Sequence, residues 1–128
     1  MILFLDDDTT RITQFLAHCK EDVIVVRTAH AAIRVLESMP NNISVAFLDH
    51  DLGDEAYVPE DEENTGSEVV RYITRMGSMI ERFVCHSMNV PARKHMVADL
   101  KAAGHEVWDA AWNMWDWSML SSAWKDLE

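Results

Sequence analysis

Short, wholly apolar runs alternate with stretches of helical period along most of the chain. Ile2-Leu3-Phe4-Leu5 stops at Asp6, Asp7 and Asp8, the pattern of a central strand buried on both faces with carboxylates crowding its C-terminal end. Thr9 and Thr10 are placed to cap a helix whose apolar face carries Ile12, Phe15, Leu16 and Cys19. Val23-Ile24-Val25-Val26 predicts a second strand. Ala29, Ala32, Ile33 and Leu36 mark a second amphipathic helix that Pro40 and the two Asn residues after it terminate. The third run, residues 44–48, leads directly into Asp49-His50-Asp51-Leu52-Gly53. Residues 54–64 break the pattern: six acids with no apolar period read as a solvated loop, with a lid over a cleft as the alternative. Thr65 and Glu68 form a capping box ahead of a helix with Val69, Ile73 and Met76 on one face. Phe83-Val84-Cys85 is the fourth strand and ends in His86-Ser87. Asn89 and Pro91 start a helix carrying Met96, Val97 and Leu100, which Gly104 closes. Glu106-Val107-Trp108 reads as a short edge strand. Residues 114–127 form the last expected helix, with Trp117, Leu120, Trp124 and Leu127 on one stripe.

Five strands alternating with five helices through short connections imply an α/β domain over residues 1–128, a doubly wound parallel sheet between two helical layers. The usual order at this size, 2-1-3-4-5, sets the ends of strands one and three side by side at the topological switch point. Asp6, Asp7 and Asp8 then face Asp49, His50 and Asp51, with His86 and Ser87 on the rim.

Composition narrows the partners. Twenty-two acids against 11 Lys and Arg give a formal charge of −11, which argues against bulk nucleic-acid binding or an anionic membrane surface. An anionic ligand must therefore be held by local cations or a metal. No run approaches a membrane span or a secretory signal, and Cys19 and Cys85 read as two buried reduced thiols. A cytoplasmic protein is the expectation.

Paired acids after strand one and an Asp ending strand three resemble the receiver domains of response regulators, a flavodoxin-like fold in which such acids bind magnesium and the Asp accepts a phosphoryl group. The Lys those domains carry after strand five is missing from Trp108-Asp109-Ala110-Ala111. A closer resemblance is to the bacterial and phage cyclic-phosphate processing receiver domains. It rests on Leu3-Phe4-Leu5-Asp6-Asp7 with Arg11, Leu48-Asp49-His50-Asp51-Leu52-Gly53, Thr65-Gly66, and His86-Ser87-Met88-Asn89 with Met96 beyond. A Pro and a Gly usually follow that Asn, where this chain has Val90 and Ala92. The resemblance implies a phosphodiester substrate, a cyclic nucleotide or a 2′,3′-cyclic RNA end, and places Thr65 and Gly66 among the substrate-binding residues.

Hydrolysing such a diester needs a base, an acid, and donors for the phosphoryl oxygens. His50 and His86 suit the first two roles, with Asp49 beside them and Asp51 in support. Arg11 and Arg93 can donate to phosphate from helix starts, and Ser87 and Asn89 can position oxygens. Two roles are open to the acids: Asp6, Asp7 and Asp49 as Mg²⁺ ligands, or one carboxylate orienting a histidine. A transition-metal site on His50, His86 and Asp49 is compatible by ligand type but has no diagnostic spacing. The Trp stripe reads as core, with a homodimer face or a base-stacking platform as alternatives. Three functions follow: a phosphoesterase, a module that binds or senses the ligand without cleaving it, and a degenerate phospho-receiver.

Overall fold

The computed structural model describes residues 1–115. Five strands, β1 (Ile2–Leu5), β2 (Val23–Val26), β3 (Val45–Leu48), β4 (Arg82–Cys85) and β5 (Glu106–Asp109), alternate with four α-helices. These are α1 (Thr9–His18), α2 (Ala29–Ser38), α3 (Gly66–Met76) and α4 (Val90–Ala102). All strand pairs are parallel, and the order is β2-β1-β3-β4-β5. The expected doubly wound sheet is therefore present. The predicted helix over residues 114–127, its Trp117, Leu120, Trp124 and Leu127 stripe and the dimer face read on it lie outside the described residues. Met114 itself ends a 3-10 turn, Trp112–Met114. Among the described residues no helix is long and apolar enough to cross a membrane.

Strand alternation sorts the core into two layers. Leu3, Leu5, Ala46 and Leu48 face a layer built from α2, α3 and α4, whereas Ile2, Phe4, Val45 and Phe47 face Ile12 and Phe15 of α1. Phe4 stacks on Phe15 at 4.1 Å between ring centroids. Burying one such ring contributes on the order of 2–3 kcal/mol. Trp112 and Trp115 close this second layer beyond the end of β5.

Local expectations need four corrections. Asp8, not Thr9 or Thr10, caps α1, its side chain accepting from the Arg11 backbone N–H. Leu16 and Met76 are exposed, because each lies on the solvent edge of its helix stripe. Cys19 is half-buried, while Cys85 is buried, with its thiol pushed up to about 12 by burial. The 54–64 segment is acidic but not simply solvated: Val58 is buried, and Arg71 donates to the carbonyls of Glu60 and Glu62.

Candidate functional site

Asp6, Asp49 and His86 are each the first residue after β1, β3 and β4. The strands are in register at Leu5, Leu48 and Cys85, and the backbone continues the ladder one residue further, Asp49 N–H to Leu5 C=O and His86 N–H to Leu48 C=O. Parallel pairing thus sets three ionisable side chains in a lateral row, each at most 3% exposed. Among the described residues their ligand atoms are the group that converges, all within 4.8 Å of one another.

Asp6 is the most heavily bonded member. Its Oδ2 accepts from Arg11 Nε at 2.8 Å and His86 Nε2 at 3.0 Å, and its Oδ1 from Arg11 Nη2 at 3.0 Å and the Asp8 N–H at 2.9 Å. Arg11 Nη2 also reaches Asp49 Oδ2 at 3.4 Å. Burial works to raise Asp6, but the bonds from His86 and Arg11 prevail and hold it well below the usual carboxylate range. Among the described residues Asp49 accepts from the His50 N–H and, at 3.4 Å, from Arg11 Nη2. Burial pushes its carboxyl up to about 7, with the Asp6 charge adding to the rise and His86 and Arg11 opposing it. Two like charges in one dry site have separated, one ionised and one poised near neutrality.

In front of this row lies an open cleft of about 310 Å³, lined by Asp7, Asp8, Arg11, Asp49, Asp51, Asp54, Glu55, Ala56 and Met88. His86 stands behind Asp6 and outside the lining. Its ring stacks on Phe4 at 5.2 Å and meets the edges of Trp112 and Trp115 at 5.8 and 5.6 Å. Its Nδ1 is buried without a hydrogen-bond partner among the described residues.

Residues 1–102 match the family model described as Cyclic-phosphate processing Receiver domain. The chain belongs to that family. Among curated proteins no sequence matches it. Solved receiver domains share its fold at low identity. One is the signal receiver domain of a putative LuxO repressor from Vibrio parahaemolyticus, 18% identical, with a TM-score of 0.66 over 94% of this chain and 83% of that one. A CheY-like receiver from Methanospirillum hungatei is 16% identical, with 0.67 over 98% and 90%. Another CheY-like receiver, from Methylobacillus flagellatus, is 14% identical, with 0.68 over 99% and 97%.

Within this cyclic-phosphate processing receiver domain, several residues expected at the site stand elsewhere. His50 is fully buried and turned from the cleft, its Nε2 2.7 Å from the Val58 carbonyl and its Nδ1 2.8 Å from Ser67 Oγ. A carbonyl only accepts, so Nε2 carries the proton, and in the neutral ring Nδ1 accepts from the Ser67 hydroxyl. His50 therefore ties the acidic loop to α3 and is not paired with His86. Arg93 is 8% exposed and donates to Asp109 at 2.6 Å and to the Ser87 carbonyl at 2.7 Å. Lys94 joins the same carboxylate. The basic pair at the α4 start is thus spent on Asp109. Ser87 Oγ accepts from the Asn89 N–H, and Asn89 caps α4 while donating to Asp51 Oδ1 at 3.2 Å. Asp51 also accepts from the Val58 N–H at 2.8 Å. Thr65 caps α3, but Glu68 reaches Arg71 instead of closing the box. Gly66 sits against the end of β3.

The magnesium set expected on Asp6, Asp7 and Asp49 does not match the donors that converge. Asp7 lines the cleft but accepts from the Asp54 N–H at 2.6 Å. The third converging donor is the His86 imidazole, a nitrogen ill suited to hard Mg²⁺, and the Arg11 guanidinium holds the cation's place beside Asp6. Sequence reasoning set Asp8 beside Asp49 but gave it no role, and gave none to Asp54, Glu55, Ala56 and Met88, which also line the cleft. Asp8 had a signal, an acid three residues before Arg11 at a helix start. The others lie on loops without a period.

Proposed function

We propose that the cleft hydrolyses a cyclic phosphodiester, with Arg11 binding the phosphoryl oxygens and Asp49 carrying the proton. The observation that supports this reading is the juxtaposition of a guanidinium and a carboxyl poised near 7 at the mouth of one cleft. Arg11 is fixed through Nε and Nη2, so binding to it costs little ordering. A proton carrier is most effective with a pKa near the working pH.

Charge favours this substrate class. Beside Arg11 the lining holds six carboxyl groups. A cyclic diester brings one negative charge that a single guanidinium can match. Its product, a monoester, carries close to two at pH 7 because its second pKa lies near 6, and the surrounding carboxylates oppose its retention. Water attacks phosphorus, one ring P–O bond breaks, and the proton that Asp49 takes from the water passes to the departing sugar oxygen. Asp6 and His86 act as positioning residues, Asp6 holding Arg11 and His86 holding Asp6. No step passes through magnesium.

A second reading, binding without cleavage, is favoured by one observation: neither His50 nor His86 lines the cleft, so Asp49 alone must both take and return the proton. Incubation with a panel of cyclic and linear nucleotides, followed by calorimetry and ³¹P NMR, separates the two. Conversion of a cyclic diester to a monoester supports hydrolysis, tight binding of unchanged ligand supports sensing, and neither result is compatible with an inert domain. Stable phosphorylation of Asp49 by a small phosphodonor would instead bring forward the receiver reading.

A further inference from the structure

The row of Asp6, Asp49 and His86 has a property that phosphodiester chemistry does not use. Its three donors are two carboxylates and one imidazole, all buried and mounted on three hydrogen-bonded strands. Such a mount is rigid. Their ligand atoms lie within 4.8 Å of one another, so small side-chain movements bring them to the roughly 2.0–2.2 Å radius that nitrogen and oxygen ligands adopt around a zinc-sized ion.

His86 supplies the independent observation. The residue is 1% exposed, and Nδ1 has no hydrogen-bond partner among the described residues. The contact of Nε2 with Asp6 is the hydrogen bond this ring makes. A metal on Nε2 puts the ring proton on Nδ1, which has no acceptor among the described residues, and replaces the hydrogen bond to Asp6 with a bond to the ion. Phe4, Trp112 and Trp115 already fix the ring plane and exclude water from it, as the surroundings of a metal-binding imidazole do.

We propose that Asp6, Asp49 and His86 form a site for a divalent transition-metal ion of the Zn²⁺ and Co²⁺ class, for which the Arg11 guanidinium competes. Arg11 now bridges the two carboxylates, at 3.0 Å to Asp6 and 3.4 Å to Asp49, and neutralises them without coordinating. An ion entering the row displaces Nη2. One nitrogen and two oxygens select against Mg²⁺, which prefers oxygen throughout. Asp49 is the Arg11 partner held at the longer distance and is the one first released.

The test uses untagged protein stripped with chelator and titrated with CoCl₂ or MgCl₂, read by visible absorption and by calorimetry. Binding of one Co²⁺ per chain is expected, at least ten-fold tighter than Mg²⁺, with His86→Ala weakening it ten-fold or more. Arg11→Gln should tighten it several-fold, because a competitor is removed. Should His86→Ala not fold by circular dichroism, Asp49→Asn carries the same test. Equal affinity for the two ions, full Co²⁺ affinity in the folded variant, weaker Co²⁺ binding by Arg11→Gln, or no binding at all would each overturn the proposal. The readout is metal affinity, so the result is independent of whether any diester is cleaved.

Discussion

Gly66 lies so near the end of β3 that a β-carbon built on it would stand 1.8 Å from the carbonyl oxygen of Asp49. Its own N–H donates to the His50 carbonyl at 3.1 Å. The start of α3 and the strand bearing the poised carboxyl are thus in backbone contact, which is a packing reason for this glycine.

Gly66→Ala should force α3 and the β3 end apart. Overpacking of this kind costs about 1–3 kcal/mol, occasionally more, and the displaced atoms include the backbone of Asp49. We expect both a lower midpoint in urea unfolding and weakened ligand binding. An unchanged midpoint would show that the backbone yields freely here.

The fold was legible because its signals are local. Each apolar run ends at an ionisable residue, so strand ends announced themselves, and parallel order then joined Asp6 to Asp49 and His86. Side-chain direction was not legible. His50 and Asp49 are neighbours at one strand end, and only the path of residues 54–64 decides that His50 turns to the Val58 carbonyl and Ser67. Arg93 was similarly hidden, since its partner Asp109 is 16 residues away on β5. A contact between distant residues leaves no period in the sequence.

His50→Ala tests that correction. The change leaves the Val58 carbonyl and Ser67 hydroxyl without their partner and opens a cavity, a combined loss of roughly 3–4 kcal/mol. Limited proteolysis should find residues 54–64 more open. At a temperature where the variant stays folded, kcat should change little. A large loss of kcat with unaltered stability would return His50 to the chemistry.

Asp49 should give stability a distinctive pH dependence. Its folded value of about 7 lies above its unfolded value near 3.9. Below pH 4 both states hold the proton and nothing is gained or lost. Between pH 4 and 7 the folded chain keeps a proton that the unfolded chain has released, so stability falls as pH rises, by on the order of 2–4 kcal/mol in total. Asp49→Asn removes this loss. In chelator, the variant's stability relative to the parent should therefore grow across that window, measured by urea unfolding at successive pH values. A difference that stays flat from pH 4 to 8 would mean that Asp49 ionises normally.

The role of Arg11 as the anion ligand is tested most directly by ³¹P NMR of a 2′,3′-cyclic nucleotide mixed with the parent protein or with Arg11→Gln. The parent should convert the ring signal to that of a monoester, and the variant should lose about 10²-fold or more in kcat/KM, the scale set by removing one donor to developing phosphoryl charge. Equal rates for the two proteins, or a ring signal that the parent leaves unchanged across the cyclic nucleotides tested, would contradict the account.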